Sequence, residues 1–208
     1  MLALDRAGSQ VLYAVRNGPV GTKRLSPLCQ APFTAGKAEV RCWNDELDCE
    51  EHVGLRLGDT VLCTRNMWAL GLQNGSLGTI VEVADSPRGV QDDGGSQTRL
   101  VLAWVEWDDG ERRPLSVDML DDVELGYAVT VHKAQGSQWK RVIVPVTGSR
   151  LLDRTLLYTA LTPAQSQVLL VGDAEAARAA TLAPLRASER QVALDLALAK
   201  LITHVNLN

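Results

Sequence analysis

The run Tyr127-Ala128-Val129-Thr130-Val131-His132-Lys133-Ala134-Gln135-Gly136-Ser137-Gln138-Trp139 concentrates groups that can hold an anion. Its apolar opening predicts a strand, and the polar residues that follow predict a turn leading into a helix. Thr130 reads as the cap of that helix, whose free backbone N–H groups would face a phosphate. Lys133 adds a full charge beside them, Gly136 lets backbone approach a ligand closely, and Ser137 offers a hydroxyl to another phosphate oxygen. His132 and Gln135 supply further donors and acceptors. On spacing alone, a capped helix with a solvated lysine and a surface histidine accounts for the same residues.

A second group lies upstream at Arg65, Asn66, Trp68 and Asn74. Arginine and asparagine hold phosphates or base edges, and an exposed indole stacks on a base for about 1–3 kcal/mol. Trp68 and Trp139 taken one at a time read first as core residues, the stacking role of Trp68 being the functional alternative. Asn74-Gly75 has a complete structural explanation as a tight turn, and Gly78 as a bulge. Cys29, Cys42, Cys49 and Cys63 lack the short paired spacing that structural zinc favours, so no metal site is read from them. The phosphate loop G-x-x-x-x-G-K-[ST] is absent, Gly36-Lys37 being followed by Ala38, and no apolar strand ends in a convincing Asp-Glu pair.

These residues need elements to position them. Gln10 to Val15 reads as a buried strand closed by Asn17-Gly18-Pro19, with a helix from Thr22 to Gln30. From Leu55 to Val123 the glycine-punctuated β-rich runs predict a small barrel, with Ser86 to Thr98 as a hairpin tip. After Leu125 strands alternate with a helix over Asp153 to Leu161, an α/β pattern. Beyond Gly172 a helix broken near Pro184 is expected, then a second from Ser188 with Ser188 and Gln191 as a capping box. Charge follows the same division. Residues 85–124 hold eleven carboxylates against four arginines, whereas residues 125–165 hold five basic groups against one acid and residues 1–40 five against two. The overall charge of −4 therefore conceals two basic flanks around an acidic middle, as expected if the flanks share a surface facing a polyanion. Ordinary solvated faces explain the charge equally well. The opening residues carry no apolar signal core, and no stretch has the ~20 apolar residues of a membrane span, so a cytoplasmic address is expected.

Residues 127–139 resemble motif V of RecD-like superfamily 1B DNA helicases (the exodeoxyribonuclease V alpha subunit type), written T-V-H-K-S-Q-G-S-E, with Ala134 for Ser and Gln138 for Glu. Leu156-Leu157-Tyr158-Thr159-Ala160-Leu161-Thr162-Pro163-Ala164-Gln165 resembles motif VI, L-Y-T-A-x-T-R-A-K, with Pro163 for the arginine and Gln165 for the lysine. Leu57-Gly58-Asp59-Thr60-Val61 and Asn74-Gly75-Ser76-Leu77-Gly78 resemble the segment entering the family's domain 2B. Gln10-Val11-Leu12 and Gly18-Pro19-Val20-Gly21-Thr22 resemble its motif IV region, with Ala14-Val15 where the family has Pro-Met. The likeness runs over residues 9–173 in the family's order.

The resemblance implies an α/β fold: a RecA-like parallel sheet with flanking helices, domain 2A, over 1–54 and 125–173, interrupted at 55–124 by an SH3-like β-barrel, domain 2B. Residues 174–208 would be C-terminal helices following this UvrD-like C-terminal domain. It assigns Thr130, His132, Lys133, Gln135, Ser137, Arg65, Asn66, Trp68 and Asn74 to a nucleic-acid strand, and Gly136, Gln138, Thr162 and Pro163 to a degenerate nucleotide-facing side. The family's motif VI arginine reaches the γ-phosphate, a task for which Pro163 has neither charge nor backbone donor. The expectation is a single-stranded DNA-binding module of a 5′–3′ helicase with no catalytic residue and no ATP hydrolysis of its own. ATP and Mg would enter only if a separate N-terminal ATPase half completed it. Single-stranded DNA is the expected partner, with that ATPase half or other helicase or nuclease subunits as further candidates. The competing expectation is a non-catalytic protein adaptor, a helicase relic, that uses the acidic barrel.

Overall fold

The computed structural model describes residues 8–18, 20–44, 48–91, 98–149 and 151–183. Four strands build a wholly parallel sheet in the order β11-β10-β1-β9: β1 (Ser9–Tyr13), β9 (Ala128–Thr130), β10 (Trp139–Val146) and β11 (Ala164–Gly172). Parallel neighbours need crossovers. Helix α1 (Thr22–Thr34) lies against β9, while α2 (Arg154–Leu161) and α3 (Ala174–Leu182) pack on each other and on β10. Between β1 and β9 the chain forms two antiparallel sheets. One pairs β2 (Glu39–Asn44) with β3 (Cys49–Arg56). The other has five strands in the order β7-β6-β5-β4-β8, with β4 at Thr60–Cys63, β5 at Leu77–Gln91, β6 at Thr98–Trp107, β7 at Arg112–Ser116 and β8 at Val123–Leu125.

Strand periodicity explains how two cores meet. Val61 and Cys63 of β4 point into the antiparallel core with Ile80, Val105, Trp107 and Leu115. Leu62, one residue out of phase, points into the parallel-sheet core with Leu12, Val129, Val142 and Val144. The strand is thus a wall shared by both units. The expected division after residue 54 falls inside β3, and Val40 and Leu55 of the β2–β3 pair belong to the antiparallel core.

Several local expectations change. Helix α1 runs four residues past Gln30, through Pro32, to Thr34, whose hydroxyl donates to the Gln30 carbonyl. The first strand ends at Tyr13, two residues early. The expected hairpin over Ser86 to Thr98 corresponds to the antiparallel pairing of β5 and β6, but β5 continues to Gln91 with a register irregularity between Val83 and Arg88, and residues 92–97 lie outside the described residues. Gly78 is not a bulge: the ladder shifts between Ile80 and Glu82 instead. Its small size serves close packing, since a Cβ there would lie 2.4 Å from Val105 Cγ1 and 3.0 Å from Trp107 Cε3. Gly78→Ala is therefore expected to cost about 1–3 kcal/mol by overpacking. Urea unfolding would show a lowered midpoint, and an unchanged midpoint would contradict the packing reason. The α2 helix matches its expected span, with the Asp153 carboxylate accepting from Leu156 N as the cap. The proposed break at Pro184 and the Ser188 capping box lie outside the described residues. Among the described residues no helix is long and apolar enough to cross a membrane.

Candidate nucleic-acid interface

No helix follows β9. Residues 131–136 form consecutive turns, in which Ala134 N donates to the Thr130 carbonyl, Gln135 N to that of His132 and Ser137 N to that of Ala134. Thr130 is accordingly not a helix cap, and no helix start presents its N–H groups to a phosphate. The reason is geometric. The chain must pass from β9 across β1 to β10 within residues 131–138, and it is pinned midway by fully buried Ala134. Gly136 then takes a positive φ of 89° that ends any helical course.

Lys133 is half-buried, and desolvation pulls its pKa down while the Glu124 carboxylate opposes that shift. Its Nζ lies 4.0 Å from Glu124 Oε1. The other oxygen of Glu124 accepts from Arg16 at 2.6 Å from Nη2 and 3.1 Å from Nε. Beside Lys133 stands the Gln73–Ser76 turn, where a Cβ on Gly75 would come 3.5 Å from the Lys133 carbonyl. Gly75 has φ +107°, which suits a turn residue without a side chain. Asn66 Oδ1 accepts from Asn74 N at 2.8 Å, so Asn66 braces that turn. Arg65 reaches Asp122 at 3.4 Å with most of its side chain in solvent. Trp68, whose isolated reading was a core residue, is 72% exposed on a short 3-10 turn, whereas Trp139 is partly buried against the parallel-sheet core.

Most of the remaining candidates line two adjoining clefts, which share Gln135 and Thr159. His132 and Gln135 line one of about 360 Å³ with Asp153, the cap of α2, and with Thr155 and Thr159 of that helix. A second, of about 330 Å³, brings together Gly136, Ser137, Gln138, Thr162 and Pro163 with Tyr158 and Thr159. Ser137 lines the second cleft, and Lys133 lines neither. Buried Pro163 ties the two motifs together through its carbonyl, which accepts from Trp139 N at 2.9 Å. Gln165 Nε2 donates to Gln138 Oε1 at 3.2 Å. Where the family pattern has a glutamate and a lysine, this chain keeps a paired contact between two uncharged amides. Among the described residues that line this cleft, none is charged. Sequence reasoning missed Arg16 and Glu124, because an ion pair spanning 108 positions has no local signature.

A mixed α/β fold with a parallel sheet of this kind matches the RecA-like domains of helicases. Residues 125–171 match the UvrD-like helicase C-terminal domain. The chain is 34% identical over 169 residues to the ATP-dependent RecD2 DNA helicase of Deinococcus radiodurans, an alignment covering 80% of this chain and 20% of that protein. It is 39% identical over 175 residues to the RecBCD enzyme subunit RecD of Mycobacterium tuberculosis, covering 82% and 26%. The crystal structure of Pif1 helicase from Candida albicans shares the fold, with TM-score 0.53 over 95% of this chain and half of that one at 16% identity. The chain spans a fifth to a quarter of the length of these RecD-type relatives and corresponds to the C-terminal portion of a RecD-like superfamily 1 helicase.

Proposed function

We propose that this chain grips single-stranded DNA on the face that carries Lys133, the Arg65–Asn66 segment, the Asn74 turn and Trp68, and that it does not hydrolyse ATP by itself. One observation carries the reading. Lys133 and the Gln73–Ser76 turn, far apart in sequence and in different units, are packed backbone against backbone, with solvent-facing Arg65 close by. Cations and an exposed indole on one face suit a phosphate backbone with stacked bases. Thr130, His132 and Gln135 would extend that grip along the carboxyl ends of β1 and β9, where open parallel sheets bind ligands.

The uncharged cleft at Gln138 and Pro163 supports a loss of autonomous hydrolysis. ATP and Mg would act only with an ATPase half that supplies phosphate-binding cations. In this reading the antiparallel unit is the SH3-like barrel of domain 2B inserted into a RecA-like domain 2A, and the packing of β2 and β3 supports moving its first boundary toward residue 38.

Fluorescence anisotropy with a labelled oligothymidine tests the grip. Binding should weaken with salt at a log–log slope of about −0.7 per phosphate contact, and Lys133→Ala should flatten the slope by about one contact. An absence of binding at low salt would overturn the reading in favour of the acidic adaptor. Phosphate release by the purified chain should stay at background with and without DNA. Release that tracks the protein through re-purification would contradict the second half of the proposal.

A further inference from the structure

We propose that Glu124 sets the affinity of the strand-binding face by competing with a DNA phosphate for the Arg16 and Lys133 cations, and that Arg16 is itself a phosphate ligand. The inference rests on the strand-binding reading above and adds a contact and a control to it. Three separate elements converge here: Arg16 from the loop after β1, Glu124 from β8 and Lys133 from the turn after β9. One carboxylate stands between two cations, touching Arg16 at 2.6 Å and facing Lys133 at 4.0 Å.

The geometry favours competition. Glu124 and Lys133 side chains are each 23% exposed and Arg16 47%, so the trio opens to solvent at the arginine end, where an incoming phosphate would arrive. A guanidinium offers five donors and binds phosphate bidentately in the same planar manner as it binds a carboxylate. A phosphate approaching Arg16 therefore meets an occupied fork and a repelling negative charge. The Gln73–Ser76 turn, braced by Asn66, packs against the Lys133 carbonyl and holds the backbone of Lys133 beside Glu124. Only when Arg16 exchanges its carboxylate partner for a phosphate is its charge available to the strand. Each such exchange also returns a negative charge to the face, which lowers the net gain from the contact.

The test uses the full chain, a fluorescein-labelled dT15 strand and a salt series. Glu124→Gln keeps an oxygen that can accept from Arg16 and removes the charge. It should tighten binding about three- to tenfold at low salt and steepen the log–log slope. Arg16→Gln should weaken binding about threefold and flatten the slope by about 0.7, with an unchanged melting temperature because the side chain is half in solvent. If wild type binds and Glu124→Gln binds equally or more weakly while folded, the competition is overturned and the strand grip stands. If Glu124→Gln does not fold, Arg16→Gln decides: an unaltered slope overturns the proposal. Failure of wild type to bind at low salt removes both readings together.

Discussion

Asp59→Ala should lower folding stability by about 3–5 kcal/mol. The Asp59 carboxyl is fully buried and accepts four hydrogen bonds. Gln30 Nε2 donates at 2.6 Å, Thr34 Oγ1 at 2.8 Å and Tyr127 Oη at 2.9 Å, and the backbone N of Arg56 at 2.7 Å. Two partners come from α1, one from the segment entering β9 and one from β3, so a single side chain fastens the parallel and antiparallel units together. Phe33, near the end of the same helix, stacks on the Tyr127 ring with centroids 6.0 Å apart and holds the hydroxyl in place. Truncation strands these donors away from water, and each unsatisfied buried group costs about 1–3 kcal/mol. Total stabilities are only about 5–15 kcal/mol, so a large part of the margin disappears. Urea denaturation gives the answer, and a loss below about 1 kcal/mol would show that the junction does not depend on this carboxyl. Tyr127→Phe removes one donor and leaves the others, so it should cost about a third as much.

Trp68→Ala combined with Lys133→Ala should weaken oligothymidine binding by about 30- to 1000-fold at low salt while leaving the fold nearly intact. Stacking of one base contributes about 1–3 kcal/mol and a phosphate contact adds to it. Stability should hardly change, because Trp68 is 72% exposed and the Lys133–Glu124 pair is a long 4.0 Å contact. The two losses should also separate by salt: the tryptophan share persists at high ionic strength, whereas the lysine share fades. Binding within about threefold of wild type, measured on a chain that still melts normally, would move the strand away from this face. A protein adaptor acting through its acidic unit would be indifferent to both changes.

Much of the fold was legible because local patterns and the burial they serve agree. The apolar runs at 10–15, 141–146 and 167–171 fall on strands β1, β10 and β11 of a parallel sheet, although the first run overshoots its strand by two residues. Glycine-rich punctuation between residues 55 and 125 marked antiparallel pairing, and Asp153 marked the start of α2. The order of weak motifs resembles that of a RecD-like helicase portion, and the relatives at 34% and 39% identity agree. Misreadings came where tertiary geometry outweighs local preference. A threonine before a polar turn is a good helix cap in isolation, but a short crossover pinned by buried Ala134 leaves no length for a helix. Gly78 suits a bulge by type, yet the facing Val105 and Trp107 side chains are what require it to be small.

The sequence by itself determined which residues could contact a strand, that their order resembles the motifs of a RecD-like helicase, and that Pro163 and Gln138 are uncharged where the family pattern has an arginine and a glutamate. Tertiary structure decided which of those residues share a surface. It placed Ser137 with Gln138 and Pro163, kept Lys133 beside the Asn74 turn, and made Asp59, an unremarked member of a Gly-Asp motif, the junction between two cores. It also set Glu124 between Arg16 and Lys133. Periodicity and motif spacing report on neighbours within a turn or a strand. Charge pairing and buried hydrogen bonds join residues 25 to 108 positions apart, and only chain folding brings such groups within reach of one another.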